Sequence, residues 1–331
     1  MFPEKDLQQL ARDMYHDRAL TYNDVPAEEA FRNMIYDTLG VKVGEPINNY
    51  AWKTKKEEVF QILSTAIDAV LPTILMDQFD SFADIRNVAA GDKPHFTIED
   101  NSLFHVSMIA SGTQDLQRQE LLSGSFTVDT DWYGAAAYAE FEKLLVGQVN
   151  FKSYVDRIAM SFTNFMQQRI YEAFANSYDS LRAVRKVEGT FDEDKLIQTV
   201  QHIQAASGGK GVEVYGTLAG LRKVSKTTDK SGAMKDRMNK VGYLETVAGI
   251  DLIALPQAYK TVGVEEFAVD DNTLIILPKG EKIVSIVLEG EAITEDESGS
   301  NRNDMQREFK TMKKFGIRVA ALSVYGMYKL A

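Results

Sequence analysis

Residues 150–178 read NFKSYVDRIAMSFTNFMQQRIYEAFANSY, the longest helical pattern in the chain. Phe151, Tyr154, Val155, Ile158, Phe162, Phe165, Met166, Ile170 and Phe174 recur at helical spacing, and neither Pro nor Gly interrupts them. One face is therefore a continuous apolar stripe. Asn150 stands where a side-chain oxygen caps the first free amides. Such a helix is about 43 Å long, close to the diameter of a whole domain. The pattern thus predicts a spine on which other elements pack.

Upstream, residues 4–20 carry Leu7, Leu10, Ala11 and Met14 on one side, and residues 27–39 repeat the pattern with Ala30, Phe31, Met34 and Ile35. Gly40 ends this second helix. After a Gly, Pro and Asn-rich connection over 41–52, a third helix is expected over 55–71, using Val59, Ile62, Leu63, Ala66, Ile67 and Val70, with Pro72 as its stop. Residues 1–90 are expected to be mostly helical, the early part forming an arm.

From Phe96 the period changes to two. Phe104, Val106 and Met108 alternate with polar neighbours, as do Phe126 and Val128, so both stretches are expected to be strands. Between them 110–124 is polar and glycine-punctuated, with Gln114, Asp115, Gln117, Arg118, Gln119 and Glu120. Such a hairpin has too few apolar residues for a core of its own, so its partner must lie elsewhere. A short helix is expected over 135–146, closed by Gly147. Beyond Tyr178 come an amphipathic helix over 192–206 and strands over 212–215, 250–255, 273–277 and 282–288, a second, mixed α/β lobe. Phe309–Met312 and Ile317–Val324, on either side of Lys313-Lys314-Phe315-Gly316, are expected to pair as a closing hairpin that returns to the first lobe.

Composition bounds the chemistry. The chain has 331 residues, 44% hydrophobic and 26% charged, a globular balance long enough for one sizeable core or several modest ones. It contains no Cys, which excludes disulfides, thiolate metal sites and cysteine nucleophiles. Its net charge is −11, the wrong sign for gripping phosphate backbones. No run approaches the length of an apolar membrane span, and Met1–Asp6 has neither a basic nor an apolar leader region, so no export or membrane insertion is expected. Gly208-Gly209-Lys210-Gly211 lacks the Ser or Thr and the following helix that a phosphate loop needs, so it is expected to be a turn. His16, His95, His105 and His202 are scattered, and Asp129-Thr130-Asp131 has the look of a turn. No catalytic, cofactor-binding or metal-ligating residue is indicated, and no cofactor is expected. Arg222–Lys240 is rich in Lys and Arg, and Glu289–Asp304 in acidic residues. Each is expected to be a solvated loop, the alternative being complementary pairing between neighbouring copies in a ring.

The order of these elements, with Gly91-Asp92-Lys93-Pro94-His95-Phe96, Asp100-Asn101-Ser102-Leu103-Phe104, Gln117-Arg118-Gln119, Tyr133-Gly134, Tyr154-Val155-Asp156-Arg157, Ile170-Tyr171-Glu172-Ala173-Phe174, Tyr215-Gly216-Thr217, Phe315-Gly316-Ile317 and Tyr325-Gly326, resembles the major capsid protein of tailed bacteriophages. The likeness runs from Lys93 to the C-terminus, and the motifs are diffuse, so it rests on their order. The resemblance implies an α+β Hong Kong 97-type capsid fold: an N-terminal arm region over 1–90, an extended loop over 91–128 reaching a neighbouring subunit, a peripheral domain over 129–189 plus 305–331, and an axial domain over 190–304. It implies a non-enzymatic subunit that self-assembles into pentamers and hexamers of an icosahedral shell enclosing double-stranded DNA without specific recognition, in the host cytoplasm and then in the virion. A separate scaffolding protein and a portal are the partners expected. The lysine that forms inter-subunit isopeptide bonds in some members has no counterpart at the loop tip, which carries Arg118, so that chemistry is not carried over. A nanocompartment shell of the same fold is the nearest alternative and would be told apart by a packaged enzyme. A soluble α/β enzyme, the third, would show as a small oligomer with a metabolite pocket.

Overall fold

The computed structural model describes residues 4–16, 21–22, 25–99, 106, 118, 123–140, 150–227, 231–261, 264–297, 306–320 and 324–331. Helix α1 (Glu4–Tyr15), the short strands β1 (Thr21–Tyr22) and β2 (Val25–Pro26), and helices α2 (Ala27–Leu39) and α3 (Asn49–Phe79) open the chain. Strands β3 (Ala83–Val88), β4 (His95–Glu99), β5 (Ser123–Thr127) and β6 (Asp131–Glu140) follow, then the spine, α4 (Phe151–Ser177). The remainder is β7 (Lys186–Gly189), α5 (Glu193–Ala206), β8 (Val212–Thr217), α6 (Leu218–Thr227), α7 (Gly232–Val241), β9 (Thr246–Val247), β10 (Ile250–Leu255), β11 (Tyr259–Thr261), β12 (Val264–Phe267), β13 (Thr273–Pro278), β14 (Val284–Glu297), β15 (Gln306–Val319) and β16 (Gly326–Leu330).

The spine forms as its periodicity requires. Asn150 caps it by accepting the Ser153 amide at 3.1 Å, and Phe151, Val155, Ile158, Phe162, Met166, Ile170 and Phe174 are all buried. The opening helices are not a free arm. α1 and α2 pack on α3, α3 packs on α4, and all four share one core. α3 also overrides two expectations. It starts at Asn49, capped by Asn48, and it runs through Pro72. A proline there leaves one carbonyl without its amide partner, at about 3 kcal/mol, but Val70, Leu71, Ile74, Leu75 and Phe79 are buried on both sides of it, and that apolar burial outweighs the lost bond. α3 is long and apolar enough to cross a membrane by length and composition, but 56% of that stretch is buried inside the chain, as in a core helix.

Two sheets pack around these helices. The six-stranded one has the order β7-β16-β13-β8-β10-β9, and the four-stranded one the order β3-β14-β15-β6. On one face of the six-stranded sheet Tyr215, Leu255, Ile275, Leu277 and Met327 join the core of α3 and α4. Val214, Leu252, Leu274, Ile276 and Tyr328 point the other way, into a second core with α5, α6 and α7.

Three expectations fail in the four-stranded sheet. Residues 135–140 are strand, not helix, and 141–149 lie outside the described residues: β6 pairs with β15 from Asp131↔Phe315 to Glu140↔Gln306, and ten ladder positions override the helix preference of Ala135-Ala136-Ala137. Lys313–Gly316 is not a turn but the middle of β15, which pairs continuously with β6. Glu289–Glu297 is not a solvated loop but the second half of β14, while 298–304 lie outside the described residues. Sheet membership also crosses the expected domain limits, because β14 joins the four-stranded sheet and β16 the six-stranded one.

Candidate assembly site

The hairpin expected over 91–128 has a described root. β4 and β5 pair antiparallel with Phe96 opposite Phe126, while the strand expected over 103–109 lies outside the described residues except for exposed Val106, and the tip except for exposed Arg118. The two rings stack at 5.6 Å and, with Val128, meet Val287 and Val88 on the outer face of the four-stranded sheet. An arginine caps each ring: Arg86 lies 4.2 Å over Phe96 and Arg318 lies 5.1 Å over Phe126. Both also bond the root's backbone, Arg86 at the His95 carbonyl (2.9 Å) and Arg318 at the Thr127 carbonyl (3.1 Å). Asp84 holds Arg86 in turn, at 2.7 Å.

Beneath the root, one carboxylate ties both legs of the hairpin to the sheet. Glu289 accepts the Gly91 amide of the incoming leg at 2.8 Å and the Thr130 hydroxyl of the outgoing leg. Lys314, beside it on β15, donates at 2.8 Å. The Lys314 hydrogen bond, then those of Thr130 and Gly91, hold the Glu289 carboxyl down at about 2. All three favour the charged form. The outgoing leg passes so close to β15 that a side chain at position 316 would collide with the Asp129 carbonyl, and Gly316 has none.

A second polar group sits alongside. The pairing of β14 with β15 shifts register between Glu289 and Ile293, freeing backbone groups that must find other partners. Asp68 of α3 accepts the Ala292 amide at 2.7 Å, and Lys313 bonds Asp68 at 2.6 Å and the Gly290 carbonyl at 2.5 Å. The Lys313 side chain is 2% exposed and that of Asp68 15%, so the lysine is buried and its partner nearly so. Sequence reasoning missed Asp68, Glu289, Lys313 and Lys314 because their partners are remote in the chain. The one local signal was a pair of lysines between Met312 and Phe315 in a strand-like run.

The residues quoted for the resemblance partly converge here. Tyr133 stacks on Phe315 at 4.3 Å, and Phe162 of the spine meets the same ring edge-on at 6.2 Å. The histidines do not converge: His95 lends its carbonyl to Arg86, His16 lies beside Tyr15, His202 is exposed, and His105 is outside the described residues. Among the described residues no three metal-ligating side chains come together. Gly208–Gly211 is a turn before β8, with Gly208 and Gly209 in the left-handed region.

A family model described as "SPbeta prophage-derived putative capsid protein YonB" matches residues 8–329. The chain belongs to the YonB family. Its role is structural, that of a phage capsid protein with the Hong Kong 97-type fold. The capsid of cyanophage P-SCSP1u superposes with a TM-score of 0.51 at 12% identity, covering 76% of this chain and 88% of that one. The mature capsid of bacteriophage PhiM1 gives 0.50 at 11%, covering 76% and 86%. The capsid of a native GTA particle gives 0.51 at 13%, covering 77% and 90%. Among curated protein sequences nothing matches.

Proposed function

We propose that this YonB-family chain is the major shell subunit of a tailed double-stranded DNA bacteriophage, assembling into pentamers and hexamers that close an icosahedral shell around the genome. The observation that carries the reading is the double-tied hairpin root. Gly91 and Thr130 on its two legs are fixed by Glu289, so a segment too poor in apolar residues to bury a private core is tied at its root to the sheet, and its own burial is left to a neighbouring copy. Each such contact need contribute only a few kcal/mol, because closing a ring makes later contacts effectively intramolecular.

In this reading residues 91–128 are the extended loop. The four-stranded sheet with α3 and α4 is the peripheral part, and the six-stranded sheet with α5, α6 and α7 the axial part. The subunit catalyses nothing and binds no cofactor. DNA is enclosed without specific contacts, in keeping with a net charge of −11, and a separate scaffolding protein and a portal complete the assembly in the host cytoplasm. Residues 94–128 contain no lysine, so the loop beyond Lys93 at its root offers no amine for a covalent link.

Replacing residues 101–121 with a short Gly-rich turn tests the reading. The variant is expected to keep its fold and helix content by circular dichroism and to form no closed particles by electron microscopy. Uniform shells from the variant would show that the hairpin is not the inter-subunit arm. Unfolding would place it in the chain's own core.

A further inference from the structure

The β11–β12 ribbon and the α6–α7 helix pair each expose a surface that their own chain leaves uncovered. On the ribbon, Tyr259 and Phe267 stand opposite one another with rings 5.6 Å apart and nearly parallel at 4°. They are 57% and 51% exposed. Glu265 and Glu266 are exposed beside them, Glu266 with Lys260 of β11 at 3.4 Å. Paired aromatics left in water on a rigid ribbon are the kind of feature that interfaces bury.

The helix pair offers the opposite chemistry. Arg222 and Lys226 of α6 and Lys235 and Lys240 of α7 are exposed, a basic patch on a chain of net charge −11. α7 buries none of its residues in the single chain. At its end Val241 is 38% exposed, and Leu218, at the start of α6, is 52% exposed. A methyl group of Leu218 would lie 3.2 Å from a Cβ placed on Gly242, the residue after Val241, so the start of α6 meets the end of α7.

Their placement fits a contact between copies. α6 and α7 cover one face of the six-stranded sheet. The ribbon packs against α4, which covers the other face. Unlike patches on opposite faces of one module make a head-to-tail contact, and head-to-tail contacts close into rings when the rotation allows.

We propose that the β11–β12 ribbon of one copy docks on the outer face of α6 and α7 of the next copy around a ring, with Tyr259 and Phe267 against the exposed Leu218 and Val241 and the acidic strand β12 next to the basic residues of the helix pair. This inference rests on the shell reading above and names a junction within its rings. Charge here sets partner and register, while the aromatics supply the buried area. The net negative charge of the rest of the surface favours a second copy over nucleic acid as the occupant.

Charge reversal tests it. Glu265→Arg with Glu266→Arg in one protein, and Lys226→Glu with Lys235→Glu in another, should each leave helix content unchanged and lower particle yield at least about tenfold, since like charges then meet at every junction. All four substitutions in one chain should restore particles. A one-to-one mixture of the two variants should form six-membered rings by alternation, while five-membered rings cannot alternate. Because the chain has no Cys, Phe267→Cys with Val241→Cys should give disulfide-linked oligomers in assembled particles under oxidation. Parent-like yield from either charge variant, a folded four-fold variant that does not recover, or no cross-link in intact particles would overturn the docking and leave the shell reading standing. A parent chain that forms no multi-copy particle would overturn both.

Discussion

β13, in the six-stranded sheet, buries Thr273, Leu274, Ile275, Ile276, Leu277 and Pro278 on both faces, whereas β14 and β15 of the four-stranded sheet bury Glu289, Thr294, Thr311 and Lys313 beside Val284, Ile286 and Phe315. Apolar side chains are non-directional, so the six-stranded sheet needs only volume and alternation to be right. The four-stranded sheet must do more. Its outer face carries the hairpin root, its inner face meets α3, and the register shift in β14 exposes backbone groups between them. Hydrogen-bonded charges hold directions that oil-like packing leaves loose, and they leave unmet charges behind when a partner is removed.

Removing one partner of the buried pair should therefore have the largest effect. Lys313→Ala strands the Asp68 carboxylate and the Gly290 carbonyl, and is expected to lower stability by about 3–5 kcal/mol in chemical denaturation. Asp68→Leu combined with Lys313→Met should recover part of that loss, and only part, because the Ala292 amide still lacks its acceptor. A loss below about 1 kcal/mol for Lys313→Ala would mean that water or a rearranged bulge satisfies Asp68, and the contrast between the sheets would shrink accordingly.

The same contrast explains what the sequence discloses. The spine and its Asn150 cap, the α2 bounds, and β10 and β13 are legible, because each carries its own period and its own start or stop signal. β6 is not: Ala135-Ala136-Ala137 favours helix locally, and only pairing with β15, far downstream, makes it strand. Lys313-Lys314 resembles a turn because two adjacent lysines are ordinarily solvated, and their acceptors, Asp68 and Glu289, are distant in the chain. Of the hairpin, the paired root is legible in the alternation around Phe96 and Phe126, but its anchor is not, since Glu289 stands at the head of an acidic run.

Glu289 gives the next effect, smaller and pH-dependent. Its carboxyl titrates at about 2 in the folded chain against an ordinary 4.5. Folding therefore gains stability from the charged form above pH 4.5, and this is lost as pH falls from there toward 2. The six-stranded sheet is sensitive at the other end. Burial raises the Tyr215 and Tyr328 hydroxyls above their ordinary 10.0, so their contribution is whole below pH 10 and lost as pH rises beyond it. Glu289→Gln should cost about 1–3 kcal/mol at neutral pH, as for hydrogen bonds to a charged group, and flatten the acid limb while leaving the alkaline limb in place. Denaturation midpoints measured from pH 2 to 11 would show this, and an unchanged acid limb would mean that other carboxylates set it.

The smallest effect concerns the two arginines on the hairpin root. Arg318 is exposed, and its cap over Phe126 and its bond to the Thr127 carbonyl are both at the surface. Such a contact contributes about 0.5–1 kcal/mol. Arg318→Ala should therefore barely move global unfolding. It should instead favour opening of the β4–β5 root, where the apolar cluster is only a handful of side chains, and local opening needs no more than the local free energy. About 1 kcal/mol corresponds to roughly fivefold faster amide exchange, expected at Phe96 and Phe126 and absent from β8 and β13. Arg86→Ala should add a comparable increment, since it caps the other ring of the stacked pair and bonds a different strand. If exchange in β8 and β13 rises with that of the root, then the root is not a separate unit and its loosening passes through the four-stranded sheet into the six-stranded one. If only the root responds, Glu289 marks the boundary at which the separately opening root ends and the four-stranded sheet begins.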